Sequence, residues 1–476
     1  MTAADLMLAL PEIFVLGMTC FLMLFGLWLP AERQGIISFV AVMTLLFAGI
    51  ILLGWDDPDP AAVSYAFNAT FVRDQMADIL KLTAFLVLAA NFIYARQYLR
   101  IYKVAVLEFH VLSLFLLLGV MVLISAANML TVYMGLELVA LPSYALVALR
   151  RDDQRSTEAA MKYFVLGSLA SGLLLYGMSM IYGVTGTLSL AQISNITAMG
   201  SNTMLLLGLI FIIIGVAFKL GVVPFHMWVP DVYHGAPAAV TALIVSLPKL
   251  AAFAMAIRLL VDGLGNMHLQ WMSMLAVLAT LSIVLGNLVA IAQSNIKRML
   301  AYSTISHMGF MLLGLLPGSD QGLSAAMFYA IVYAIMAAGA FGVIILLSLH
   351  GEEAENLDDY KGLSKRSPWL ALIMLMLMFS LAGVPVFAGF FAKWLVIQAV
   401  IEAQMIWLAV LAVVFSVIGA FYYLRVVKLM YFDAPENDQP IAVAADFRAA
   451  LTLNGGAQLL IGLFANILIG LCVASF

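Results

Sequence analysis

The chain has 476 residues, 65% of them hydrophobic and 10% charged, with a mean hydropathy of +1.09. It is far too apolar for a water-soluble globule and reads as an all-α polytopic membrane protein. The net charge of −4 is modest and the basic residues are scattered through short loops, which excludes a nucleic-acid-binding surface.

The opening stretch, MTAADLMLALPEIF, carries acids and no Lys or Arg ahead of its apolar run, the wrong order for a cleaved signal peptide, so a retained membrane helix is expected. A hydrocarbon core needs roughly 20 apolar residues to cross it. About 14 such transmembrane runs follow one another at 6–28, 36–54, 75–95, 104–124, 128–149, 158–183, 203–229, 236–257, 270–293, 298–316, 322–349, 369–399, 403–430 and 451–474. No stretch between them could hold a second folded domain, which leaves 1–476 as one membrane domain. Cys20 and Cys472 lie in apolar runs near opposite ends, form no metal-ligand pattern and are expected to be packing residues.

Charge then orients the spans. If the helices alternate, one set of loops holds 15 of the 22 basic residues, from Arg33 to Arg448, and the other only Arg73 and Arg258. The basic side is expected to be cytoplasmic, with both termini periplasmic. Five lysines remain inside the expected spans: Lys81, Lys162, Lys219, Lys249 and Lys393. An ionisable side chain at such depth is costly and faces a protein interior or a watered path, which marks it as functional by default. Asp78 and Lys81, three apart on one helix, are expected to neutralise each other. Lys162 stands near a helix end, from which a long side chain can reach the headgroups.

The stretch AFKLGVVPFHMWVPDVYHGAPAAVTALIVSLPKL (217–250) organises the rest. Lys219 and Lys249 flank a segment in which Gly221, Pro224 and Pro230 are expected to break the helical ladder, and broken helices at membrane depth are tolerated where they line a cavity. A shift of roughly 160–170 positions brings similar stretches together. Gly221-Val222-Val223-Pro224-Phe225 has its counterpart in Gly383-Val384-Pro385-Val386-Phe387, and Met129-Leu130 recurs as Met299-Leu300, which sets Glu137 opposite His307. The repeat comprises helices four to eight (104–258) and nine to thirteen (270–430), with 1–103 and the last helix, 451–474, outside it. An odd number of helices per unit makes the two copies inverted, with discontinuous helices 7 and 12.

Buried Lys, Glu and His suit proton movement. Loss of water makes a lysine give up its proton more readily, and a nearby carboxylate restores its hold. Arginine could not serve, since it stays charged. Glu137 is expected to bias Lys219, with Lys249 the next carrier and Lys393 the gate to the outside; His226 and His307 are candidate relays, as is Lys162. No phosphate loop, cysteine cluster or haem motif is present, so neither a redox cofactor nor a metal is expected in this chain.

HMWVPDVYHGAPAAVTALIVSLPKL (226–250), KYFVLGSLASGLLLYG (162–177), MGLELVALPSY (134–144) and NIKRMLAYSTISHMG (295–309) resemble the antiporter-like membrane subunits of respiratory complex I, and the first two stretches are of the N type. The resemblance covers essentially the whole chain. It implies fourteen helices in inverted five-helix repeats. It also implies an ion path through a helix-five glutamate and lysines of helices seven, eight and twelve, which match Glu137, Lys219, Lys249 and Lys393. It further implies a place in a bacterial inner-membrane NADH:quinone oxidoreductase, beside another antiporter-like subunit and small membrane subunits. Flavin mononucleotide and iron–sulfur clusters would lie in partner subunits, with quinone as co-substrate of the complex. A stand-alone cation/proton antiporter subunit, built on the same lysines, is the alternative.

Overall fold

The computed structural model describes residues 2–30, 33–54, 63–200, 202–349, 353–435 and 441–476. The first expected span is two helices, α1 (Ala3–Leu8) and α2 (Leu10–Gly26), followed by α3 (Gly35–Leu53). A small antiparallel hairpin, β1 (Ser64–Ala66) with β2 (Phe71–Arg73), leads into α4 (Gln75–Ile101), whose first turn is capped by the Asp74 side chain. Next come α5 (Val106–Ile124), α6 (Met129–Val147), α7 (Gln154–Thr185) and the short α8 (Leu190–Thr197). The seventh span is broken into α9 (Thr203–Leu220) and α10 (Trp228–Gly235). It is followed by α11 (Ala238–Ala256), α12 (His268–Ile291), α13 (Ile296–Leu315), α14 (Asp320–Ser348) and the single turn α15 (Leu363–Arg366). The twelfth span is broken into α16 (Pro368–Ala382) and α17 (Ala388–Glu402), and α18 (Ile406–Phe432), α19 (Ala445–Leu463) and α20 (Ala465–Val473) complete the chain.

Each expected span coincides with a helix or a broken pair. Ten described helical stretches are long and apolar enough to cross a membrane alone. A further bend, not foreseen from sequence, turns α20 by 77° from α19. Just before it, Gly462 lies so close to the Val386 carbonyl that a Cβ would collide. The centre of the bundle is α11, buried along its whole length, with α14 almost as enclosed. A helix apolar all round has no lipid or water face to prefer, and such a helix belongs inside.

The backbone bonds that tie the start of α6 and of its counterpart α13 to a neighbouring loop repeat at one interval. Met129 N–H donates to Leu188 O (2.9 Å) and Leu190 N–H to Ala127 O (3.2 Å); Ile296 N–H donates to Glu355 O (2.7 Å) and Leu357 N–H to Ser294 O (3.0 Å). Every residue of the first set lies 167 positions before its counterpart. Helix packing follows the same interval. A Cβ on Gly119 would fall 2.6 Å from the Val139 nitrogen, and one on Gly286, 167 positions on, 2.7 Å from that of Ser306. Small residues that let backbones approach are what hold helices together where lipid is as apolar as the side chains. In this register Glu137 is matched by Thr304 rather than by His307, which stands one turn further along α13.

The expected Asp78–Lys81 pair is absent. Asp78 is taken by the Arg73 guanidinium (3.0 Å), which also donates to Leu52 O, while Lys81 reaches across to Glu12 of α2 (2.6 Å). A planar guanidinium grips a carboxylate through two nitrogens, which a lysine cannot do.

Candidate functional site

The last four carbonyls of a helix have no partner within it. Unpaired in a membrane interior, each costs several kcal/mol. All four at the end of α9 are satisfied. Gly221 is in the left-handed region (φ +76°), so its N–H and that of Val222 turn back to Ala217 O. Phe218 O accepts from the Trp228 indole N–H (3.0 Å). Lys219 O and Leu220 O accept from one group, the Lys249 ammonium, at 3.2 and 2.8 Å. The same ammonium lies 5.0 Å from the centre of the Trp228 ring, a cation–π contact. Lys249 itself is buried at 1% exposure on α11.

The second break repeats the pattern. Gly383 (φ +84°) and Val384 direct their N–H groups to Phe379 O, and the buried Lys393 ammonium donates to Ala382 O (2.8 Å) and Ser416 Oγ (3.1 Å), with the Phe310 ring centre 5.2 Å away. His307 is buried nearby. Its Nδ1 is 2.7 Å from the Tyr329 hydroxyl and its Nε2 3.0 Å from that of Tyr423, so the imidazole sits in a chain of hydroxyls that goes on from Tyr423 to Ser303. These tyrosines are partners the sequence did not reveal, since an aromatic on an apolar face reads as core.

Lys219, on the last turn of α9, is half-buried, and among the described residues its ammonium has neither a hydrogen bond nor an ion pair. Glu137 on α6 accepts a hydrogen bond from the Ser171 hydroxyl and makes no ion pair with Lys219 within 4.0 Å. His226 stands in the break itself, half-buried, its Nδ1 enclosed and without a hydrogen-bond partner among the described residues. Pro224 and Pro385 follow the two glycines inside the breaks, whereas Pro230, expected to break the helix as well, lies in the first turn of α10, where a proline's missing N–H costs nothing. Lys162 is not brought into this group. It is exposed on α7 and paired with Glu158 (2.8 Å) and Asp231 (3.0 Å).

The five lysines of the spans thus divide by partner. Lys81 and Lys162 face carboxylates, whereas Lys219, Lys249 and Lys393 have none within 4.0 Å among the described residues.

A further charged group went unnoticed in the sequence because its members read as loop residues. Lys297, fully buried, pairs with Glu353 (2.9 Å) and Glu355 (3.3 Å), and Glu355 also meets His234 (3.3 Å). With Arg150 and Arg155 they line a cavity of about 660 Å³ on the basic side of the bundle. Burial alone would raise the Glu355 carboxyl, but the His234 hydrogen bond and the Lys297 charge prevail and hold it down at about 2.

Residues 126–419, which contain both breaks, match the family described as NADH:quinone oxidoreductase/Mrp antiporter, TM. A protein of Thioalkalivibrio sulfidiphilus named NADH-quinone oxidoreductase subunit N is 52% identical over 474 residues, covering 99% of this chain and 98% of that one. The chain belongs to the NADH-quinone oxidoreductase subunit N family. Its subunit N relatives include a protein of Azoarcus sp., 53% identical over 98% of this chain and 96% of that one. A chain in the structure of respiratory complex I from Thermus thermophilus with bound aureothin superposes with a TM-score of 0.83 at 31% identity, covering 98% of this chain and all of that one. One in the Mrp complex from Dietzia sp. has a TM-score of 0.87 at 22% identity, over 100% of this chain and 97% of that one, a likeness of fold alone.

Proposed function

We propose that the chain serves as the N-type antiporter-like subunit in the membrane arm of a bacterial proton-translocating NADH:quinone oxidoreductase. It lies in the inner membrane with its basic loops cytoplasmic and its termini periplasmic. It translocates protons while electrons pass from NADH to quinone in other subunits, which hold the flavin and iron–sulfur clusters; this chain has no redox site of its own. Helices of 104–258 and 270–430 form two inverted repeats, each with one break. Protons pass by way of Glu137, Lys219, Lys249 and Lys393, with His226 and His307 as relays. Lys162, an expected relay, is read instead as a peg for α10.

The observation that carries this reading is the division of the lysines. A lysine paired with a buried carboxylate cannot lose its proton without stranding a charge, which costs several kcal/mol. Lys249 and Lys393 are held by neutral oxygens, and Lys219, among the described residues, has no hydrogen bond or ion pair and only the Phe218 ring centre 6.0 Å from its ammonium, so each can release a proton and take it back.

Lys249→Arg tests it, because arginine can donate to the same carbonyls yet does not release a proton. The variant is expected to assemble into a complex that stains for NADH dehydrogenase on a native gel, with NADH-driven pumping in sealed vesicles reduced about tenfold or more. Full pumping in an assembled Lys249→Arg complex would show that this ammonium only caps α9. Recovery of the tagged chain in a small assembly without NADH oxidation, with cation-dependent proton flux, would favour the stand-alone antiporter.

A further inference from the structure

The two breaks place an ammonium at one and the same spot. A Cβ built on Gly221 would lie 3.4 Å from Lys249 Nζ, and one built on Gly383 would lie 3.4 Å from Lys393 Nζ. Yet the amine reaches that spot from different elements. In the first half it comes from α11, the helix after the break; in the second it comes from α17, the far side of the break itself.

The helix after the second break is therefore free to bring a different residue to that spot. Lys249 stands on α11, the helix that follows the first break, and Ser416 stands on α18, the helix that follows the second. Ser416 touches the same spot: its Oγ accepts from Lys393 Nζ at 3.1 Å, while that nitrogen donates to Ala382 O at 2.8 Å.

We propose that Ser416 is a positioning residue for proton transfer, standing on the helix after the second break as Lys249 stands on the helix after the first, and holding the Lys393 amine on the open end of α16. The proposal rests on the reading of Lys393 as a proton carrier. A hydroxyl suits the task because it serves both states of the amine. It accepts from the ammonium, and once a proton has left for water or the next carrier it can turn and donate to the lone pair of the neutral amine. Ala382 O can only accept. A second lysine at 416 would set two positive charges side by side, whereas serine keeps the contact without the repulsion.

The test is NADH-driven pumping by the assembled complex in sealed vesicles, followed across pH for Ser416→Ala, Ser416→Thr, Ser416→Cys and Lys393→Ala. An ammonium short of one acceptor gives up its proton more easily, so the alkaline limb of the Ser416→Ala profile is expected about one pH unit lower. Ser416→Thr, which keeps the hydroxyl, restores the profile. If Ser416→Ala does not assemble, Ser416→Cys, with its weak hydrogen bonding in a similar volume, is expected to shift the limb the same way. A wild-type profile in the assembled Ala or Cys variant, beside lost pumping in Lys393→Ala, overturns the role of Ser416. Normal pumping in Lys393→Ala overturns the carrier reading beneath it.

Discussion

At the scale of single residues, Lys81 and Lys249 are equally buried lysines with opposite surroundings. Lys81 is 1% exposed, closed off by Glu12 at 2.6 Å and the Phe71 ring 5.0 Å away, and it binds α4 to α2. Lys81→Met leaves Glu12 charged and unpaired inside the bundle, at a cost of about 3–5 kcal/mol. Lys81→Met with Glu12→Leu removes both charges and is expected to recover most of that loss. Thermal inactivation of the detergent-solubilised complex reads the difference; equal stability of the single and double variants would mean that the pair is not what joins these helices. Spacing on one helix pointed instead to Asp78 as the partner. It could not reveal that Arg73, five residues earlier at the end of the hairpin, takes Asp78, or that Lys81 meets Glu12, because the second contact depends on how α2 packs against α4.

Among the elements, the breaks were legible, but for a narrower reason than the presence of proline. Pro142 and Pro248 stand inside continuous helices, α6 and α11. What ends α9 and α16 is a glycine in the left-handed region that turns its own N–H and that of the next residue back on the helix. Proline only prevents the helix from resuming at once. Gly221→Ala forces a Cβ into φ +76° and to within 2.6 Å of Val229 Cγ2. Left-handed backbone costs a non-glycine residue about 1–2 kcal/mol before any clash. The variant is expected to lower both complex yield and pumping, while Gly17→Ala, with open space around it, changes neither; a Gly221→Ala complex with normal yield and pumping would mean that the turn does not need glycine. The bend at the end of α19 was not legible: no proline marks it, and the close approach of Gly462 to the second break joins segments far apart in the chain.

For the molecule as a whole, the repeat was visible in sequence as short matches, but its register was blurred. The breaks are 162 positions apart, Gly221 to Gly383, whereas the helix caps and close-packed glycines are 167 apart. Segments between helices differ in length, so no single shift aligns every motif, and the caps decide. That is why Glu137 was set against His307 when its structural counterpart is Thr304, whose hydroxyl oxygen accepts from Tyr333 at 2.7 Å. The lysines themselves were found from depth alone. Their sorting into paired and unpaired was not, because it needs the carboxylates of other helices.

One exposed cluster connects the interior to the aqueous phase. Asp231, on the half-helix α10, is held from one side by Lys162 of α7 (3.0 Å) and from the other by Arg298 of α13 (3.1 Å). All three side chains are 30–45% exposed, unlike Lys249. The electrostatic range in water shrinks from about 30 Å at 0.01 M salt to about 3 Å at 1 M. Added salt therefore slackens the two tethers of α10 while the enclosed ammonium contact beside it is left untouched. Pumping by vesicles is expected to depend on ionic strength, and Asp231→Asn to remove much of that dependence; an unchanged salt response in Asp231→Asn would show that the tethers are idle. Ionic strength would then be a handle, turned from the water, on a break in the middle of a membrane.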